Sequence, residues 1–174
     1  MLRQRGISLI ESLVAIVVLA LGISGLALVQ ARMLVASRAA TGHAIALALA
    51  DDLTNRMMFN AETARANGYA LAWNEQPSGG DCSSAPCSGA ALASADLQAW
   101  RSMVASALPS GNATVFRSTA DAGQVGIAIA WALNEDARAD ADQAKYRKPF
   151  AVTAASHGID CPADSLCHVI YVRP

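Results

Sequence analysis

Glu11 is the residue best placed to do chemistry. Its carboxyl sits among Ile7, Leu9, Ile10 and Leu13, at the head of a stretch from Ser12 to Ala31 that carries no charged side chain. A carboxylate in apolar surroundings is costly unless it meets a cation or the headgroup layer, although a helix N-terminus eases part of the cost through its macrodipole. A second group is the cysteines, Cys82-x4-Cys87 and Cys161-x5-Cys167. Zinc sites favour C-x2-4-C spacing with further Cys or His ligands, and with only His157 and His168 nearby no metal is expected. In an oxidising compartment disulfides are the default. Four cysteines allow three pairings; Cys82 with Cys87 and Cys161 with Cys167 are favoured because each pair closes a short polar loop. A third group, Glu135, Asp136, Asp140 and Asp142, is acidic but lacks the glycine turn of an EF-hand loop, and reads as a solvated loop rather than a calcium site.

For catalysis the pattern is empty. There is no G-x-S-x-G, H-E-x-x-H, Walker or dinucleotide fingerprint, and His43, His157 and His168 have no recognisable partner, so no enzyme and no cofactor are expected. Trp73, Trp100 and Trp131 read as core or interface aromatics. The balance of 13 Lys+Arg against 14 Asp+Glu gives a net charge of -1, which offers no basic field for nucleic acid.

These groups depend on the elements that carry them. Ser12 to Ala31 matches the ~20 residues that cross a bilayer core as a helix, and it is too long, with no A-x-A-like stop, for a cleaved secretory signal. Arg3 and Arg5 precede it, so the positive-inside bias puts the N-terminus in the cytoplasm and the chain beyond Arg32 outside. Helix need not stop there: Ile45, Leu49, Leu53 and Met57 recur every four residues, with Asp51, Asp52, Asn55 and Arg56 on other faces. The spacing predicts one helix from Ile7 to about Met58, weakened locally by Gly22, Gly25 and Gly42. An irregular loop is expected from Asn67 to Gly89, then a helix through Leu97, Trp100, Val104 and Leu108, with Ser94 as its cap and Pro109-Ser110-Gly111 as its stop. The period then becomes two: Val125, Ile127, Ile129, Trp131 and Leu133 alternate with Gly126, Ala128, Ala130 and Ala132. Thr114 to Ser118, Lys148 to Ala154 and Cys167 to Arg173 are further strands, and strands in succession imply an antiparallel sheet covered by the long helix.

The string Arg5-Gly6-Ile7-Ser8-Leu9-Ile10-Glu11 resembles the signature of type IV prepilins: a short basic leader ending in glycine, a hydrophobic residue, a small hydroxyl residue, two aliphatics and a glutamate at the fifth mature position. The resemblance implies that prepilin peptidase cuts between Gly6 and Ile7 and methylates the new amine of Ile7. It also implies that Glu11 meets the N-terminal amine of a neighbouring subunit during assembly. A buried pair of that kind fixes register more than it adds stability. The implied fold class is α+β and pilin-like, with a long N-terminal helix, transmembrane then amphipathic, packed on an antiparallel β-sheet. The corresponding domains are a leader at 1–6, a transmembrane or filament-core helix at 7–31, its amphipathic continuation at 32–58 and an exported globular domain at 59–174.

The resemblance narrows on Leu49-Ala50-Asp51-Asp52-Leu53-Thr54-Asn55-Arg56-Met57, on Asp96-Leu97-Gln98-Ala99-Trp100-Arg101 followed by Leu108-Pro109, and on the Val125 to Trp131 strand. These look like the type IV pilus modification protein (PilV) subfamily, which are minor pilins. Membership would imply a single-pass inner-membrane protein with its C-terminal domain in the periplasm, later moving to the pilus fibre or cell surface. Its partners would be prepilin peptidase, other minor pilins and the major pilin, the inner-membrane assembly platform and a tip adhesin. The competing readings are a minor pseudopilin of type II secretion, built from the same parts, and a membrane-anchored periplasmic binding protein that never assembles.

Overall fold

The computed structural model describes residues 9–82, 86–132, 158–163 and 165–174. Within them, residues of high helix propensity and the absence of proline sustain α1, Leu9–Phe59, a helix of 51 residues. It ends one residue beyond the expected boundary, and Ile7 and Ser8 lie outside the described residues. The chain breaks direction at Asn60, which leaves the helical region at φ -126 and ψ 45, and re-enters a single short helix, α2, Ala61–Arg65. The sequence pattern holds no sign of α2, because five residues are too few to show a helical period.

A longer helix follows, α3, Gly89–Ala107, and here the expected cap is corrected. Ser88 is extended and its hydroxyl accepts from the Ala91 N–H, which satisfies one of the orphan donors of the first turn. Ser94 lies inside the helix, where its hydroxyl donates back to the Ala90 carbonyl at 3.1 Å. Good helix formers at 90–93 let the helix start as soon as Ser88 supplies the cap. At the other end Leu108 is extended, proline follows, and Ser110 takes the left-handed region at φ 49.

Three strands make the sheet: β1, Asn112–Arg117; β2, Val125–Ala132; and β3, Ser165–Val172. Their order is β1-β2-β3, both pairings are antiparallel, and Gly126 stands opposite Phe116 on one side and Tyr171 on the other. The fold is therefore α+β with an antiparallel sheet. The expected strand Lys148 to Ala154, the acidic run 134–145 and Leu133 lie outside the described residues. The described residues between α2 and α3, 66–82 and 86–88, are irregular, apart from an antiparallel bridge of Leu71 to Val115, whose amides and carbonyls exchange hydrogen bonds of 2.9 Å.

The chain divides into two compact units, Met1–Thr41 and Gly42–Pro174, so residues 42–59 of α1 belong with the sheet. In that second unit α1 buries Ala46, Ala50, Leu53 and Met57, while Ile45 and Leu49 are only partly buried. The buried stripe thus starts on two alanines rather than on the larger side chains, since small residues let the helix axis come close to what it packs on. α3 adds Ala93, Leu97, Trp100 and Val104, and β2 adds Val125, Ile127, Ile129 and Trp131. Ala128 and Ala130 on the other face of β2 are also fully buried, so β2 is a central strand enclosed on both faces, with its bulky side chains on one of them as expected.

Candidate functional site

Chemistry at the N-terminus is set by what the first part of α1 exposes. Leu9–Gln30 is 22 residues of mean hydropathy 2.7, long and apolar enough to cross a membrane, and none of it is buried within the chain. Leu9 is 89% exposed and Ile10 72%. Apolar surface in water costs roughly 25 cal/mol per Å², so a band of this size calls for lipid or for other helices around it. Ser24 donates to the Ala20 carbonyl at 2.8 Å, the one-turn back-bond that lets a hydroxyl reside in apolar surroundings. A side chain built at Gly22 or Gly25 would meet nothing within 4 Å, so within this chain neither glycine is required by packing. Both leave room for a close approach from outside. Glu11 lies in the first turn of α1, where the helix dipole favours an anion. Arg3, Arg5, Gly6 and Ile7 lie outside the described residues.

The cysteines of the second unit are joined as Cys82–Cys87, with Cα atoms 5.5 Å apart, and Cys161–Cys167, with Cα atoms 6.1 Å apart. Each bridge closes one short loop. Among the described residues no group of three or more His, Cys, Asp or Glu could hold a metal ion. His43 and His168, far apart in sequence, come together around Trp131: the His43 ring meets the indole edge-on at 5.0 Å and the His168 ring at 6.3 Å. Burial and the neighbouring His43 hold the pKa of His168 below the usual imidazole range, and its Nε2 is buried without a hydrogen-bond partner. Gly42 permits this arrangement, since a Cβ there would lie 3.1 Å from the Trp131 Nε1. His157 lies outside the described residues.

The other tryptophans are pins. Trp100 donates from Nε1 to the Leu49 carbonyl at 2.7 Å, tying α3 to α1, and Trp73 donates to the Asp160 carbonyl at 3.0 Å. A polar chain reinforces the same junction. Arg56 bonds Asp52 at 2.9 Å and Asp96 at 3.1 Å, and Asp96 accepts from the Tyr69 hydroxyl at 2.7 Å. Asn60 then donates to that hydroxyl at 3.3 Å and to the Gly89 carbonyl at 2.7 Å. Burial, together with the bond to Asp96, pushes the Tyr69 phenol up to about 12. Arg101 is buried in α3 and donates to the main-chain oxygens of Ala113 and Trp73 at 2.6 and 2.7 Å. Its burial away from carboxylates lowers its pKa. Sequence reasoning missed Tyr69, Asp96 and Arg101. A charged residue at the helical spacing of Leu97 and Val104 is the signal that could have found Arg101.

None of these clusters unites a nucleophile with a base. The chemical novelty of the chain is concentrated in its first residues. Residues 1–27 match the family model of the prokaryotic N-terminal methylation motif. This is a type IV pilin-like signal, found on pilin-like and pseudopilin proteins, and with the apolar helix it takes in it fits a single-pass membrane-anchored chain. Such a motif implies partners in a pilus or secretion assembly. No curated protein and no solved structure matches the chain.

Proposed function

We propose that this chain is a minor pilin of the type IV pilus modification kind, cut by prepilin peptidase between Gly6 and Ile7, methylated on Ile7 and used in initiating or assembling a pilus. The observation that carries the reading is the methylation motif at residues 1–27, which takes in most of an apolar helix, Leu9–Gln30, of which nothing is buried within the chain. Cutting ahead of that helix leaves it attached, so the product stays in the membrane until the helix transfers to a filament, where neighbouring helices replace lipid. Glu11 then meets the Ile7 amine of a neighbour, and each charge relieves the other in a low-dielectric setting. The role is structural rather than catalytic. The partners are the peptidase, the assembly platform, other minor pilins, the major pilin and a tip adhesin. The α+β body, with its disulfides, lies in the periplasm and later on the fibre.

Intact mass and N-terminal sequencing of the membrane-extracted protein test the processing step. A chain beginning at methylated Ile7 is expected; one beginning at Met1, or cut after Ala31, overturns it. Deleting the gene separates pilus from secretion: loss of surface pili is expected, and retained pili with lost protein secretion would identify a minor pseudopilin instead.

A further inference from the structure

A cleft of about 590 Å³ in the second unit is lined by Arg65 of α2, Arg117 of β1 and Arg173 beyond β3, with Asp121, Gly123 and Val125 between them. Three guanidiniums from separate elements would repel one another unless each were held, and each is. Arg65 donates from Nε to the Pro174 main-chain oxygen at 2.8 Å. Arg173 pairs with one oxygen of Asp121, whose other oxygen accepts from the Gly123 N–H at 2.8 Å. Arg117 differs: its Nη1 donates to the Ala122 carbonyl and its Nη2 to the Arg65 carbonyl. Both are neutral acceptors, and among the described residues no carboxylate is paired with it. The anchoring fixes the plane of the Arg117 guanidinium while leaving it three of its five N–H donors. The Asp121 carboxylate is paired with Arg173 and so offsets that cation rather than Arg117.

A fixed guanidinium with spare donors, flanked by Arg65 and by the Arg173–Asp121 pair, is an oxyanion site, and the surrounding lining indicates which oxyanion. The main-chain oxygens of Ala122, Arg65 and Pro174 face the same guanidiniums. The guanidinium fork takes either a carboxylate or a phosphate through two parallel bonds, but these oxygens and the Asp121 carboxylate in the lining repel the second charge and extra oxygens of a phosphate more than they repel a carboxylate. We propose that this cleft binds a carboxylate group, with Arg117 as the bidentate anchor and Arg65 and Arg173 supplying the flanking charge. The cleft exceeds a single carboxyl in size and falls in the range of ligand pockets, so both an acidic side chain of another protein and a free dicarboxylate could present the group. The proposal stands independently of the pilin reading.

Calorimetric titration of the full chain in detergent micelles tests it, using a hexaglutamate peptide, succinate and inorganic phosphate as separate probes at low salt. Binding of hexaglutamate or succinate, tighter than phosphate, is expected, and the tighter of the two identifies the source as a protein segment or a free dicarboxylate. Arg117→Gln should weaken it by about tenfold or more, and Arg117→Lys, which keeps the charge but loses the fork, should fall between. Because Arg117 also holds two carbonyls, Arg173→Gln serves as the second variant: its side chain is 69% exposed, so weaker binding with an unchanged melting temperature is expected. Phosphate binding as tightly as either carboxylate, no carboxylate binding, or full binding in both glutamine variants overturns the proposal.

Discussion

Phe116 reaches across Gly126 to Tyr171: the two rings meet edge to face at 6.0 Å and 83°, and the three residues share one cross-strand row, from β1 through β2 to β3. A Cβ built at Gly126 would run into the Phe116 ring. This glycine, near the start of the central strand, is therefore a seat for an aromatic ring that bridges the strands on either side, which offsets the loss of a side chain there. Gly126→Ala is expected to cost about 1–3 kcal/mol, the usual range for overpacking, seen as a lower melting temperature of the full chain. Adding Phe116→Leu to that variant should recover part of the loss. Equal stability of Gly126→Ala and the parent would sink this account.

Tyr69 gives the second unit an alkaline limit. Its phenol is raised from the ordinary value near 10 to about 12 by burial and by donation to Asp96, so the folded state keeps the proton through a window in which the unfolded chain has lost it. The contribution is fully present below about pH 10 and disappears as pH rises towards about 12. Denaturant melts across that window should show stability falling with pH, and Tyr69→Phe should flatten the fall while lowering stability at neutral pH by about 1–3 kcal/mol, because Asp96 and Asn60 lose a partner.

The acid side is set by His168. Its folded pKa is lowered, first by burial and then by His43, whose ring meets it edge-on at 6.3 Å. A group that folds best as the neutral form contributes in full above its unfolded value, about 6.5, and loses that contribution as pH falls below it through the folded value. Stability should therefore drop as pH is lowered from about 6.5, and His168→Phe should show a shallower drop over the same range. An identical slope in that variant would assign the acid sensitivity to other groups.

How much of this was legible in sequence depends on how regular the cause was. The period-two run Val125 to Trp131 sufficed for β2, because one bulky face needs one core. The four-residue recurrence at 45–57 sufficed for the inner half of α1, though not for its true contact stripe. Ala46 and Ala50 carry little hydropathy signal, and are buried because they are small. Ser88 and Ser94 are alike in sequence, and only the backbone angle distinguishes the cap from the interior hydroxyl. The bonds from Trp100 to Leu49 and from Tyr69 to Asp96 span 51 and 27 positions, and no local pattern can carry such pairings. The cleft of Arg65, Arg117 and Arg173 is hidden for the same reason: its arginines are scattered in a chain of balanced charge.

Glu11 is the sharpest test of the assembly reading, because processing and incorporation make different demands on it. In that reading the cut is recognised through Gly6 and Ile7, which Glu11→Ala leaves intact, so the variant is expected to be cleaved and retained in the membrane as the parent is. Incorporation as proposed would bring the Ile7 amine of one subunit into the apolar helix packing of another, and without the carboxylate that amine would be buried unpaired. Removing one partner of a buried pair costs about 3–5 kcal/mol, enough to lower occupancy of the filament by two or more orders of magnitude. Immunoblots of membrane fractions and of sheared fibres from the native host measure both steps. The expected outcome is a processed chain in the membrane and none in the fibres, with Glu11→Asp restoring part of the fibre signal. Wild-type amounts of Glu11→Ala in sheared fibres would remove Glu11 from the assembly mechanism while leaving the processing step untouched.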